Sequence, residues 1–385
     1  MSTEELKLDL ARQDKAIEYA RIRRRLLLID LIIGGVYLCV WLFTGWSTKL
    51  KDWLSTFTSN DWLLVACFGL VFGVIYILIS LPLSYYSGYH LPHRYDQSNQ
   101  TLKGWIIDQI KGLALSGFLG GLVLEIIYTV LRAAPETWWL WAAGILLLFN
   151  VILANLAPVL LMPIFFKFTP LGEEHQELIN QLMALASQAG TNVKGVYKFD
   201  MSRRTKSANA ALTGLGNTRR IILGDTLLDE FTSDEIETVL AHELGHHVHK
   251  DIVWGIIIGT LSTIIGFYLV SLGLNWSVAN FGFESPADIA ALPLFGIVMA
   301  LYGLVTMPLD NAYSRWRERK SDRYALEMTR NGPAFASAFT RLANQNLAEI
   351  DPEPWVEFLL HGHPSLAKRI RMANEYEHQD LQQSG

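Results

Sequence analysis

Polar and apolar positions in this chain are gathered into long blocks, with little short-period alternation between them. Six stretches, at about 26–46, 62–84, 105–132, 138–166, 252–274 and 289–309, run almost free of charge. Each is long enough for an α-helix to cross a bilayer. Densely charged segments lie between and around them, and in the segment after the fourth stretch the period changes. Glu173 to Ala189 reads as a helix, while Gly195–Asp200, Lys206–Thr213 and Arg219–Gly224 read as short strands with glycine-containing turns. Thr232 and Glu235 have the spacing of a capping box, and Ile236, Val239 and Leu240 give the helix that follows an apolar stripe. The pattern predicts a polytopic α-helical membrane protein of about six spans with an α+β domain. Four spans belong to an N-terminal membrane domain, residues 1–166, and the two at about 252–274 and 289–309 lie within a second domain, 167–385.

Composition supports that division. The chain is 51% hydrophobic yet carries 32 Lys/Arg and 37 Asp/Glu, very unevenly spread. A net charge of −5 and the lack of a basic stripe exclude nucleic acid as a partner class. Cys39 and Cys67 both fall inside apolar stretches, where they read as small buried hydrophobes and not as a disulfide framework. The first stretch follows Arg21-Ile-Arg-Arg-Arg25 but is too long for a signal peptide and has no small-residue cleavage site after it, so it is read as a retained helix. Residues 1–25 hold seven Lys/Arg, whereas 133–137 and 275–288 hold none. The positive-inside bias then puts the N-terminus in the cytoplasm, and six crossings put 167–251 and 310–385 there too.

One motif carries the chemistry. His242, Glu243 and His246 form H-E-x-x-H on the helix capped by Thr232. Histidines at i and i+4 share a helical face, so both can reach one metal ion, and the glutamate between them lies near the open coordination position, where it can take a proton from water. The apolar run that starts at Ile252 puts this site within roughly 10 Å of the hydrocarbon edge, at the helical rise of 1.5 Å per residue. A tetrahedral zinc still needs a third protein ligand. Glu318 is the candidate, on a helix continuing the sixth span in which Ser314, Glu318 and Asp322 recur every four residues. Asp322 is one turn on, where it can accept the free N–H of a ligating histidine. The plainer account of that face is a solvated helix whose acids pair with Arg315 and Arg319. Asn209-Ala210-Ala211 would offer a strand edge to an extended peptide, or simply belong to a hairpin. His363 and Arg369, near a helix start at Pro364, could stabilise an oxyanion or bind a carboxylate, though a surface helix start accounts for them as well. Glu125, inside the third span, either lines a cavity or pairs with another helix.

Several further segments, in this order, make the chain resemble the CAAX prenyl protease type 1 family of integral-membrane zinc metalloproteases, over about residues 150 to 375. They are Pro163-Ile-Phe-Phe-Lys-Phe-Thr-Pro-Leu171, Ser207-Ala-Asn-Ala210, Arg220-Ile-Ile-Leu-Gly-Asp-Thr-Leu-Leu228, the H-E-L-G-H core, Ser314-Arg-x-x-Glu-x-x-x-Asp322 and His363-Pro-Ser-x-x-x-Arg369-Ile. The resemblance implies one Zn2+ per chain held by His242, His246 and Glu318, with Glu243 as general base and Asp322 in support. It implies that Asn209, Ala210 and Ala211 pair with substrate and that His363 and Arg369 meet the substrate or its oxyanion. It also implies a ring of membrane helices around a chamber, and a peptide or protein substrate, lipidated or membrane-associated. Eukaryotic members have a further span before the first one here, and the family's second proline after His363 is Ser365. The expectation is therefore a bacterial member in the cytoplasmic membrane with its site on the cytoplasmic side, or the endoplasmic reticulum membrane for a eukaryotic source. The competing enzyme reading is a heat-shock-type membrane quality-control protease. A non-catalytic metal-binding membrane module is the reading from another class, and the intact Glu243 speaks against it. An aspartyl protease using Asp30 and Asp108 has no motif behind it.

Overall fold

The computed structural model describes residues 8–214 and 219–384. Its first half is helical: α1 (Leu10–Phe43), α2 (Trp46–Ser55), α3 (Asp61–Tyr85), α4 (Leu91–Arg94), α5 (Leu102–Ala133), α6 (Trp138–Leu156) and α7 (Met162–Phe165). A π-helical turn joins α3 to α4 and another joins α6 to α7, so each pair forms one long rod. Six rods among the described residues are long and apolar enough to cross a membrane, the last two being α11 (Asp251–Phe281) and the segment Ile289–Thr329, whose main part is α12 (Leu292–Thr329).

The six apolar stretches thus find their helices, with differences at the edges. The first helix starts sixteen residues before the expected 26, capped by Asp9, whose carboxylate accepts from the Arg12 N–H. It stops at Phe43 because Gly45 takes a left-handed conformation, φ 71°. Between the first two apolar stretches the chain forms α2, which packs between α1 and α3. Apolar side chains such as Leu78, Phe118, Leu148 and Val305 point outward, while Phe68, Tyr128, Trp138, Phe267 and Leu274 form an inner cluster. Outward apolar and inward aromatic is the arrangement a lipid surround favours, with every backbone group satisfied inside its own helix.

A four-stranded mixed sheet follows, in the order β1 (Phe168–Pro170), β2 (Val196–Phe199), β4 (Arg220–Gly224), β3 (Ala210–Thr213). β2 and β4 run parallel, and β3 pairs antiparallel with β4 alone, which makes it an edge. The predicted strand 206–213 is only half realised, because residues 206–209 spend their backbone groups on loops and side chains. Gln345 Nε2 donates to the Lys206 carbonyl at 2.9 Å and Thr226 Oγ1 to that of Ser207 at 2.7 Å. β1 is a strand the sequence pattern did not predict.

Around the sheet lie α8 (Gln176–Gln188), α9 (Asp225–Glu230), α10 (Ser233–Val248), α13 (Gly332–Gln345), α14 (Pro354–Leu360) and α15 (Leu366–Ser384). Leu182, Ile221, Leu223, Leu227, Ile236, Leu240 and Phe335 fill a core distinct from the membrane cluster. Each such side chain contributes about 1.5–3 kcal/mol by leaving water. Asp108 of α5 receives both Arg204 guanidinium bonds, at 2.7 and 2.9 Å, and so ties the membrane helices to the loop before β3. That ion pair is the role the structure gives Asp108.

Candidate metal centre

The helix that carries the motif is fixed at both ends. Thr232 Oγ1 accepts from the Glu235 N–H, and Glu235 accepts in return from the Thr232 N–H, completing the capping box. The same buried carboxylate receives Ser337 and Arg341 from α13, so α10 begins already docked. At its other end Lys250 adopts φ 56°, which turns the chain directly into α11.

α12 crosses α10 at Gly245. A Cβ at that position would meet the Ser321 Cα at 2.9 Å and its carbonyl oxygen at 3.2 Å, so only glycine allows the two backbones this close. The closeness brings Glu318 onto the histidine face. His242 Nε2 lies 3.2 Å from His246 Nε2 and 3.2 Å from Glu318 Oε2, and His246 Nε2 lies 3.4 Å from Glu318 Oε1. The plainer account of α12 does not hold: Glu318 and Asp322 are 6% and 0% exposed, and Arg315 turns away to the carbonyls of Glu357 and His361.

The outer nitrogens are committed as well. His242 Nδ1 faces Asp322 at 2.8 Å, and His246 Nδ1 faces Asp251 at 2.7 Å. Donation from each Nδ1–H leaves each Nε2 with a lone pair aimed at the centre. Asp322 in turn accepts from Arg369, whose guanidinium stacks 3.9 Å from the Phe339 ring centroid, and Asp251 forms an ion pair with Arg317 at 3.1 Å.

Three observations show that these residues fit a metal ion. Ligand atoms each about 2.0–2.1 Å from one tetrahedral ion lie roughly 3.3 Å apart, which matches the three separations above. The Nε2 atoms of His242 and His246 face each other at 3.2 Å. Glu318 Oε2 is buried without a hydrogen bond. Burial and the Arg369 guanidinium press the pKa of His242 down, but Asp322 and Glu318 outweigh them and raise it to about 9. His246 is raised too, its burial overcome by Glu318 and Asp251.

The remaining predicted residues take distinct places. Glu243 is half-buried on α10 between the two histidines. His363 sits in the loop between α14 and α15, its Nε2 3.3 Å from Glu318 Oε1 and its side chain 67% exposed. Arg369 is buried beside His242 with its guanidinium on Asp322. Ala210 and Ala211 begin β3, which packs on α10, while Asn209 just precedes the strand and accepts from the Gly224 N–H. The α15 helix starts at Leu366, two residues after the expected Pro364. Glu125 is half-buried on α5 with Oε2 unpartnered, apart from the metal centre.

Sequence reasoning missed Asp251 and Arg315. The first had a signal, an acid opening the helix five residues after His246. The second had none, because its guanidinium caps the carbonyls of α14 and so holds the His363 loop, a contact made across 42 to 46 residues of chain.

Comparison with known proteins points the same way. Residues 173–377 match the model of peptidase family M48, and residues 3–167 match that of the CAAX prenyl protease N-terminal domain, described as five membrane helices. A Bacillus subtilis protein named as an uncharacterized metalloprotease, YhfN, is 31% identical over 95% of this chain and 87% of its own length. The probable CAAX prenyl protease 1 of Schizosaccharomyces pombe is 30% identical over 94% of this chain and 79% of its own. The crystal structure of S. mikatae Ste24p superposes with a TM-score of 0.86 at 26% identity, covering 97% of this chain and 90% of that one.

Proposed function

Because the chain belongs to peptidase family M48 and is an integral-membrane metalloprotease, we propose that it is a zinc endopeptidase cleaving peptides at the cytoplasmic face of its membrane. The observation that carries this is the cluster of His242, His246 and Glu318, with Asp322 and Asp251 orienting both rings. Two imidazoles and one carboxylate form the donor set that suits zinc with one position left open. The bound ion supplies Lewis-acid polarisation of the scissile carbonyl and of water.

The chain's own residues do the rest. Glu243 takes the proton from the attacking water and passes it to the leaving amine. His363, exposed beside Glu318, donates to the oxyanion. Arg369 holds Asp322 and through it the His242 ring. The free edge of β3, at Asn209, Ala210 and Ala211, takes the peptide as an added strand. The membrane domain, residues 1–166, presents substrates to the catalytic part, 167–385. The names of the relatives support lipidated, CAAX-ended substrates as the class to test first.

The test compares the purified protein with its Glu243→Gln variant on paired peptides that differ only in a farnesyl group on a C-terminal CAAX cysteine. The expected result is cleavage in the wild type and a loss of about 10²–10⁴-fold in the variant, with zinc still bound one to one. Retained turnover in Glu243→Gln would sink the assignment. Equal cleavage of both peptides would point to a general membrane-proximal protease. Glu318→Ala should lose stoichiometric zinc, and normal zinc content in that variant would place the third ligand elsewhere.

A further inference from the structure

Two outward stripes of the membrane rods end in the same way. On α11 the exposed Ile257, Leu261 and Ile265 follow Trp254 at intervals of three and four, so all lie on one face. On α12 the exposed Leu301, Val305 and Leu309 share a face with Trp316. Both tryptophans are themselves exposed. One turn beyond each indole the stripe becomes cationic, with the exposed Lys320 after Trp316 and the exposed Lys250 before Trp254.

Contacts across the seam bring the four side chains to one side at one depth. α11 and α12 run antiparallel, since Asp251 meets Arg317 while Gly266 lies at Tyr302 and Gly273 at Val298. Arg317 Nε is 3.1 Å from Asp251 Oδ1, and a Cβ on Gly255 would stand 3.6 Å from its Nη1. Arg317 therefore points at α11, level with residues 251–255. α10 lies to one side of that line, because Gly245 packs on Ser321. At about 3.6 residues per turn, Trp254, Trp316 and Lys320 all turn to the other side. The two indoles stand level with Arg317, and the two lysines lie one turn further from the apolar spans.

The charge of this patch is unbalanced. Lys320 Nζ sits 3.8 Å from the Trp316 ring centroid, which leaves its N–H groups free for an anion. Neither lysine has an ion-pair partner among the described residues, and the acid nearest in the chain to Lys250, Asp251, is committed to His246 and Arg317. For the same reason α11 opens without a side-chain cap, so its positive end adds to the field. Apolar stripe, indole and ammonium follow one another as acyl chain, glycerol and phosphate do in a phospholipid.

We propose that the α11–α12 seam binds one phospholipid of net negative headgroup, its phosphate between Lys250 and Lys320 and its acyl chains along the stripes that end at Trp254 and Trp316. The Arg317–Asp251 pair that holds His246 stands beside this headgroup. The bound lipid thus fixes the metal centre at headgroup depth. The inference needs the membrane spans and not the endopeptidase reading.

The experiment is native mass spectrometry of the full chain in detergent, titrated with phosphatidylglycerol or with phosphatidylcholine. The first phosphatidylglycerol should bind roughly thirtyfold tighter than the first phosphatidylcholine, at about fivefold per lysine, and the gap should narrow as ionic strength rises. Lys250→Gln with Lys320→Gln should bring the two lipids within about threefold of each other. Lys250→Arg with Lys320→Arg should keep the preference, which separates charge from any fault in folding. Lys194→Gln with Arg371→Gln removes the same charge from exposed positions outside the spans and should leave the preference intact. Equal binding of both lipids by the wild type, a preference retained in the double glutamine variant of the seam, or an equal loss in the Lys194 and Arg371 pair would each overturn the proposal. So would a dimer that comes apart in the seam variant with no phosphatidylglycerol bound to the wild type, because the patch would then belong to a second copy of the chain.

Discussion

Along the single helix α12 the burial rule inverts. In its first half the exposed residues are apolar, with Val305 at 73% and Leu309 at 70%, while in its second half three charged residues, Arg315, Glu318 and Asp322, are all under 9%, beside the buried Ser321, Ala325 and Leu326. Lipid explains the first half, where an outward leucine costs nothing. Pairing explains the second, where each buried charge is matched or waits on a metal ion. The glycine contacts separate the halves in the same way. A Cβ on Gly245 would meet Ser321 backbone at 2.9 Å, whereas one on Gly266 of α11 would meet side chains alone, the Tyr302 ring at 3.2 Å and the Met299 methyl at 3.3 Å.

The largest expected effect comes from unpairing the polar half. Asp322→Ala leaves Arg369 buried without its carboxylate and should lower stability by about 3–5 kcal/mol, besides weakening zinc. Thermal unfolding in detergent reads it, and Asp322→Leu combined with Arg369→Met should recover a large part if pairing is the cause. Next is Gly245→Ala, which must push α12 away. A loss of about 1–3 kcal/mol and of zinc stoichiometry is expected, and unchanged zinc content would show that the close crossing is not needed. Asp251→Asn should weaken zinc by about 10–100-fold with little change in unfolding. The smallest effects belong to the membrane half. Gly266→Ala should stay within about 1 kcal/mol, since the ring of Tyr302 can yield while helix propensity improves.

The same polar half sets a pH dependence. His242, raised to about 9 by Asp322 and Glu318, carries a proton that zinc must displace at any lower pH. Apparent zinc affinity should therefore rise with pH by about tenfold per unit from this one site, levelling near 9. Titration against a chromophoric chelator at pH 6, 7 and 8 checks the slope. Without metal the sign reverses, because a raised histidine pKa stabilises the folded chain below the unfolded value of about 6.5 and that contribution is lost as pH rises through about 9.

The amino-acid sequence by itself determined the six membrane-length helices, because twenty apolar residues have few alternatives in lipid. It determined the helix bearing His242 and His246 too, since the capping box and the i, i+4 spacing are local. Glu318 and Asp322 were legible from their four-residue recurrence, although only a neighbouring helix could turn that recurrence inward. Tertiary structure alone decided the rest. Gly245 is an ordinary helical glycine until Ser321 is seen against it, and Asp251 an ordinary first-turn acid until it meets His246. Arg315, Asn346 and Gln13 act on backbone groups far away in the chain, Gln13 across more than three hundred residues. Such contacts leave no period and no motif behind, because a backbone carbonyl looks the same under every side chain.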